Sequence, residues 1–341
     1  MRYRSSTQTR YSILEFEFHS SRKKSRALHR SPEQKQCMQK QLTAALFPHN
    51  HSKPCVMSEI KLNRFASKAA VSVEVAKVIA QHAESCISDT GSFHVAWSGG
   101  SLPAIVCEQL VKQPLVATID WSKWHIWLVD ERCVALEHAD SSWRLVHEHL
   151  LSREGVHIPR ENLHPLPECA RFAVAPVPTG PTGEAEKVVQ EAAAEYAAEL
   201  LSSGVQRSSH ISGMPAMDLT LLGFGPDGHT ASLFPGRDHD DVRYRKDGCE
   251  WRAAPSVVTC ITDSPKPPAM RITMSLPCIL ASRRILVVGC GGDKAPVLQG
   301  VFKDGTMSGS SVGPVLTIAK VLFQHPSASV WTDDAACALL Q

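Results

Sequence analysis

The stretch Asp218-Leu-Thr-Leu-Leu-Gly-Phe-Gly-Pro-Asp-Gly-His-Thr-Ala-Ser-Leu-Phe-Pro235 constrains the fold more than any other part of the chain. Its apolar run, Leu219 to Leu222, is short, does not alternate, and empties into a turn built on Gly223, Gly225 and Gly228. A strand buried on both faces reads this way, and such strands belong to parallel sheets covered by helices. In open α/β sheets the loops beyond the carboxyl ends of the strands build the ligand site. Asp227 and His229, an acid and an imidazole two residues apart, are therefore expected at a mouth rather than in a core. Gly223 to Gly228 also satisfies the GxGxxG pattern of dinucleotide-binding turns, but that match is weak. Asp227 would set a negative charge beside the phosphates, and Pro226 removes an N–H donor. A plain tight turn is the bland alternative; a catalytic turn is the favoured reading.

The remaining pattern agrees with a layered α/β domain. Leu62, Phe65, Ala69, Val73, Ala76, Ile79, Ala80 and Ala83 recur at helical spacing, so the core is expected to open with an amphipathic helix. Strands are expected at Phe93 to Trp97, His125 to Val129, Leu219 to Leu222, Ser256 to Ile261, Arg271 to Leu276, Ile285 to Val288 and Ala328 to Trp331. Helices are expected at Leu102 to Val111, Ser141 to Leu151, Glu184 to Leu201, Pro277 to Ala281 and Lys294 to Phe302, with a short one at the C-terminus. Gly236 to Gly248 and Gly305 to Gly313 read as surface loops. Strands alternating with helices imply a Rossmann-like, mostly parallel sheet with helices on both faces, in a single domain.

Charge is distributed unevenly. Residues 1–56 hold 11 Lys/Arg against 3 Asp/Glu, whereas the whole chain carries only +2, so residues 57–341 are net acidic. The basic segment lacks apolar periodicity and reads as a disordered extension. Its Arg- and Ser-rich, acid-poor composition suits an organelle transit peptide, with translation from Met57 as the competing expectation. The 285 residues from Met57 suffice for one large α/β domain. No apolar run reaches the ~18 residues of a membrane span and no secretion signal is present, so a cytoplasmic protein is expected unless the extension targets an organelle. Nucleic acid is not an expected partner, because the basic charge is confined to the extension. Oligomeric state is not read from the sequence. The eleven cysteines show no CxxC pair and no zinc-like cluster, so no metal is expected.

Loops with chemical potential follow four of the expected strands: Ser98-Gly-Gly-Ser101, Asp130-Glu-Arg132, Gly225-Pro-Asp-Gly-His229 and Gly289-Cys-Gly-Gly-Asp-Lys294. In a parallel sheet all of them can open at one edge. Backbone N–H groups of Gly99, Gly100 and Ser101 at a helix N-terminus form a cradle for a phosphate. Arg271 and Lys294 are the cations placed to complete it, Arg as a planar fork and Lys as a point charge.

Taken in order, these motifs resemble the 6-phosphogluconolactonases. The family's pattern is SGGS-x-P, here Ser98 to Pro103; a D-E-R loop, here Asp130 to Arg132; and G-x-G-x-D-G-H-T-A-S-L-F-P, here Gly223 to Pro235. It continues with P-P-x-x-R-x-T, here Pro267 to Thr273, and G-x-x-K, here Gly291 to Lys294. The likeness runs from about Phe65 to the C-terminus. Two departures stand out: Ser141-Ser-Trp143 where the family usually has Ser-Asn before an aromatic, and Ser310 to Pro314 where it has a Leu-Pro-Ala type turn.

The resemblance implies hydrolysis of 6-phospho-D-glucono-1,5-lactone, a small phosphorylated sugar lactone, to 6-phosphogluconate, with no cofactor or metal. It casts His229 as the base that activates water and Asp227 or Asp130 as the carboxylate that orients the imidazole. Arg132 would serve the oxyanion or the sugar hydroxyls, or else pair with Asp130 or Glu131. Ser98, Gly99, Gly100, Ser101, Arg271 and Lys294 would hold the phosphate. Glucosamine-6-phosphate deaminases share several of these loops but expect Asn-Glu-Pro after the His, where this chain has Ser232-Leu-Phe-Pro235. A non-catalytic sugar-phosphate sensor would lose the acid–base pair, which is present here.

Overall fold

The computed structural model describes residues 60–167, 183–209, 211, 213–237, 256–302 and 315–340. The expectations for residues 1–56, for the loop beyond residue 237 up to 248, and for 305–314 lie outside the described residues. Residues Met57–Gln341 form one compact unit. In chain order its main elements are β1 (Lys61–Phe65), α1 (Lys68–Thr90), β2 (Phe93–Trp97), α2 (Leu102–Leu110), α3 (Leu115–Thr118), β3 (Trp124–Leu128), β4 (Asp130–Arg132), α4 (Ser142–Val146) and β5 (Leu163–His164). They continue with α5 (Gly183–Ser202), β6 (Leu219–Leu222), β7 (Val258–Ile261), β8 (Arg271–Met274), α6 (Leu276–Leu280), β9 (Ile285–Val288), α7 (Ala295–Phe302), α8 (Thr317–Gln324) and β10 (Ala328–Asp333).

Seven strands form one sheet in the order β1-β10-β9-β6-β2-β3-β5, and every pair in it is parallel. The central strands β2, β6 and β9 are buried at every position, which accounts for their mostly apolar, non-alternating sequences. From β2 the chain moves outward to β3 and β5; it then returns to β6, beside β2 on the other side, and runs the opposite way through β9 to β10. Right-handed crossovers in the two directions put helices on both faces, as expected, with α1 packed against α2 and α6 against α8.

Three expectations fail for identifiable reasons. Lys61–Phe65 is a strand, not the first turn of a helix: at the sheet edge it is half-exposed, and Leu62 and Phe65 merely imitate helical spacing. Helix α1 starts only after Ser67, whose Oγ accepts from Ala70 N at 3.3 Å. Second, β7 and β8 do not join the main sheet. They pair antiparallel with each other, and β8 also pairs antiparallel with Asp130–Arg132, expected as a loop, in a small sheet ordered β4-β8-β7. Strands of three or four residues reveal burial but not their partner. Third, the expected terminal helix is only a turn, with Ala336 N donating to Asp333 Oδ1 at 3.0 Å, while α8 was not foreseen. Among the described residues no helix is long and apolar enough to cross a membrane.

A ladder of three histidines crosses β2, β3 and β5. His94 stacks on His125 with centroids 4.2 Å apart; His125 Nδ1 lies 3.3 Å from His164 Nε2, and His164 Nδ1 lies 2.7 Å from Glu199 Oε1. Trp127 Nε1 donates to His94 Nδ1 at 3.2 Å, so that nitrogen accepts and carries no proton. Burial, then repulsion among the imidazoles, lowers His94 to about 3 and His125 to about 4 from the ordinary 6.5. Burial also lowers His164, against the pull of Glu199. Below pH 6.5 the unfolded chain binds protons that the folded ladder refuses, so stability present above that pH is lost as pH falls towards the folded values. The melting temperature should therefore drop between pH 7 and pH 5, and His125→Phe should make that drop shallower; parallel melts of the two proteins by circular dichroism check it.

Candidate active site

Because every strand of the main sheet is parallel, the loops after β2, β3, β6 and β9 all leave at the same edge. The reversal of connection direction falls between β2 and β6, the position at which the loops of an open α/β sheet part and form its crevice. Ser98-Gly-Gly-Ser101 and the His229 turn flank that crevice.

Backbone hydrogen bonds close the His229 turn on itself, from Gly225 N to His229 O and from Gly228 N to Gly225 O, both 2.9 Å. The imidazole lies so close over Gly225 that a Cβ there would sit 2.2 Å from its Cε1 and 2.5 Å from Asp227 Oδ1. Gly225 is thus required by the approach of these side chains. Gly228 is required by its own backbone, φ +78°, and by Leu316, which fills the space a Cβ would take. His229 Nδ1 stands 2.5 Å from Asp227 Oδ1, and the ring packs on Phe234 with centroids 4.7 Å apart. Of the two carboxylates weighed from sequence, Asp227 is the one bonded to the imidazole. Asp130 is buried and instead accepts from Ser232 Oγ at 2.8 Å.

A third group meets the pair. Lys266 Nζ donates to Asp227 Oδ1 at 3.1 Å and lies 3.3 Å from His229 Nδ1. Burial pushes the Asp227 carboxyl up, but the hydrogen bonds and charges of His229 and Lys266 outweigh it and hold the group well below the usual carboxylate range. Lys266 was absent from the sequence expectations. A lysine beside Pro267 and Pro268 in a proline-rich loop carries no chemical signal of its own.

Arg271 is not in a position to grip a phosphate. It is 2 % exposed, and its guanidinium faces protein: Nη2 donates to Lys266 O at 3.0 Å and Pro267 O at 3.1 Å, Nε donates to Pro268 O at 3.1 Å, and Nη1 reaches Ser232 Oγ at 3.4 Å. The guanidinium is also 5.7 Å from the centroid of the Phe234 ring. Between Thr230 and Ser232 lies Ala231 at φ +51°, the only non-glycine residue with positive φ among those described, a conformation that costs about 1 kcal/mol.

The remaining site residues fall on the same edge. Ser98 N donates to Leu221 O at 3.0 Å, linking the start of the cradle to β6, and its Oγ is buried without a protein partner. Gly100 has φ +69°, and Ser101 caps α2 without a side-chain hydrogen bond, which leaves its hydroxyl available. Gly99 lies against Ser142, where a Cβ would meet Oγ at 2.3 Å. Lys294 Nζ stands 5.8 Å from the centroid of Phe224 and donates to Asp293 Oδ2 at 2.8 Å. Phe224 in turn covers Gly289, so this ring brings the loops after β6 and β9 together.

Arg132 pairs with neither Asp130 nor Glu131 through its guanidinium; Nη1 donates to Asp140 O at 2.8 Å. Glu131 anchors the start of α4. Its buried carboxylate accepts from Ser141 Oγ and from the N–H groups of Arg132, Ser142 and Trp143 at 2.6–2.9 Å. Among the described residues no cluster of His, Cys, Asp and Glu is arranged to hold a metal ion.

Residues 66–323 match the family model described as glucosamine-6-phosphate isomerases/6-phosphogluconolactonase. The chain is 35% identical over 277 residues to "Probable 6-phosphogluconolactonase 3, chloroplastic" of Oryza sativa subsp. indica, an alignment that covers 81% of this chain and 75% of that protein. It is 36% identical over 239 residues to "Probable 6-phosphogluconolactonase 2" of Arabidopsis thaliana, covering 70% of this chain and 83% of that one. The fold is that of the crystal structure of 6-phosphogluconolactonase from Leishmania guyanensis, with a TM-score of 0.65 at 22% identity, over 82% of this chain and 97% of the other. A buried parallel sheet, a crevice at its direction switch and an Asp–His pair on the loop after β6, carried by a sequence this similar along most of its length, place the chain in the glucosamine-6-phosphate isomerase/6-phosphogluconolactonase family.

Proposed function

We propose that this protein is a lactone hydrolase of the oxidative pentose phosphate pathway, converting 6-phospho-D-glucono-1,5-lactone to 6-phospho-D-gluconate. The observation that carries the reading is the 2.5 Å contact between His229 Nδ1 and Asp227 Oδ1 at the mouth of the sheet. With the Nδ1–H donating its hydrogen bond to the ionised carboxylate, Nε2 keeps its lone pair and is the nitrogen that takes a proton from water. The water adds to the lactone carbonyl, and the imidazolium returns the proton to the ring oxygen as the C1–O bond breaks. Asp227 stabilises the imidazolium between those two steps. The ammonium of Lys266, which donates to Asp227 Oδ1 at 3.1 Å, keeps that carboxylate ionised beside the imidazole.

At the other end of the substrate, the N–H groups of Gly99, Gly100 and Ser101, the Ser98 and Ser101 hydroxyls and Lys294 hold the phosphate. That group is remote from C1, so its binding energy serves positioning. Arg271, spent on loop carbonyls, does not belong to this set. Arg132, half-buried at the end of β4, is left to the sugar hydroxyls. A deaminase would need a carboxylate following the His, and the corresponding Ser232 hydroxyl is committed to Asp130. The protein is proposed to act in the cytoplasm, with residues 1–56 as an organelle-targeting extension in the alternative; a fluorescent fusion of those residues, imaged in cells, decides between them.

Three outcomes follow from these roles, measured on lactone generated in situ above its spontaneous hydrolysis. His229→Ala should lower kcat by about 10²–10⁴-fold with little change in KM. Asp227→Asn should lower kcat without changing KM, because an amide can hold the ring in the wrong tautomer. Lys294→Ala should raise KM by about tenfold or more and leave kcat close to wild type; an unchanged KM would remove Lys294 from the phosphate site. Ammonia release from glucosamine 6-phosphate, run in parallel, would move the protein to the deaminase side.

A further inference from the structure

Two loops from different sheets converge on His229. One is the turn after β6; the other is Lys266-Pro267-Pro268, between β7 and β8 of the small sheet. Their relative placement fixes how far the Lys266 ammonium stands from the imidazole, and no strand pairing joins them: β6 and β8 belong to separate sheets. A set of buried side chains does. The Arg271 guanidinium holds three successive carbonyls, of Lys266, Pro267 and Pro268, at 3.0–3.1 Å. Its Nη1 reaches the hydroxyl of Ser232, three residues after His229, at 3.4 Å. Ser232 Oγ donates at 2.8 Å to Asp130, and Ser232 N points to Thr273 Oγ1 at 3.5 Å. Ser232, Asp130, Arg271 and Thr273 are all at most 3 % exposed.

We propose that Ser232 and Arg271 are positioning residues that form a clamp, setting the distance between the Lys266 ammonium and the His229–Asp227 pair. Ser232 is the joint. It has one hydroxyl, which serves Asp130 as donor and Arg271 as acceptor, so it ties the turn to both strands of the small sheet that border the site. Asp130 supplies the negative charge that lets a guanidinium stay buried there beside Arg132, its cross-strand neighbour. The left-handed backbone of Ala231 is the feature a local turn would not choose, and it lies between His229 and the clamped serine. The hydrogen bonds of Ser232 hold the chain in that conformation, so the clamp acts on the catalytic turn through its backbone.

The inference rests on the functional reading above, and the test separates the two. Ser232→Ala, Lys266→Ala and the double variant are compared by steady-state kinetics on the lactone and by the ring resonances of His229 in histidine-labelled protein, assigned by their loss in His229→Ala. A clamp that works through Lys266 gives non-additive effects. Ser232→Ala should lower kcat by about fivefold or more in the wild-type background but by less than about twofold where Lys266 is already alanine, with KM within about twofold throughout. The His229 resonances should move in Ser232→Ala in the same direction as in Lys266→Ala, with no further movement in the double variant. Equal loss of kcat in both backgrounds, or His229 resonances unmoved by Ser232→Ala, overturns the clamp. Should wild type not accelerate lactone hydrolysis, the functional reading falls and the resonances alone judge the clamp. If Ser232→Ala melts too low to use, Arg271→Lys replaces it, because an ammonium keeps the charge but cannot hold the fork of carbonyls.

Discussion

Strands β2 and β6 lie side by side and parallel, yet the chain leaves them in opposite directions, and the rest of the molecule depends on that reversal. Loops that follow neighbouring strands in a singly wound run cross over one another and close the edge. At the reversal they part, and backbone N–H groups and side chains face a common space. The cradle from Ser98 to Ser101 and the turn carrying Asp227 and His229 are the two walls, tied at their base where Ser98 N donates to Leu221 O. Burial of both faces of the sheet keeps those walls fixed, since its central strands β2, β6 and β9 have no exposed position through which to slip.

Within that crevice the chemistry depends on close approach. Gly225 allows an imidazole and a carboxylate to lie on its Cα, Gly289 does the same for Phe224, and Gly99 for Ser142. A methyl group at any of these would meet a neighbour at 2.2–2.4 Å, so the glycines are there for space more than for flexibility. Charge is handled in the same economical way. Asp227 is shared by an imidazole and an ammonium, while the buried Arg271 is satisfied by carbonyls and balanced by Asp130 through a serine. Asp130, a candidate to orient the imidazole, and Arg271, a candidate for the phosphate, thus bond to other protein groups in this structure.

Proline-rich and short segments explain where the sequence misled. Lys266 sits in a loop whose prolines draw attention to the backbone, and its function comes from an ammonium reaching residues 37 and 39 positions earlier in the chain. Asp130–Arg132 looked like a loop because three residues of strand have no visible period, and its antiparallel partner Arg271–Met274 is more than a hundred residues away. Glu131 seemed idle for a similar reason: four donors converge on it, three of them from the start of α4 about ten residues on, where only folding brings them.

The sequence by itself determined the fold class and the glycine-held turn that sets Asp227 beside His229. Short, non-alternating, mostly apolar runs such as Leu219 to Leu222 suit strands covered on both faces, and parallel strands place the loops that follow them at one edge. The adjacency of Asp227 and His229 is likewise local, two residues on one glycine-held turn. Tertiary structure alone decided that Asp227 and not Asp130 is bonded to the imidazole, that Lys266 joins the pair, and that the Arg271 guanidinium faces the carbonyls of Lys266, Pro267 and Pro268. Those outcomes turn on hydrogen-bond distances between residues on different strands and sheets. Such distances are set by packing, whereas period and propensity report only the neighbours along the chain.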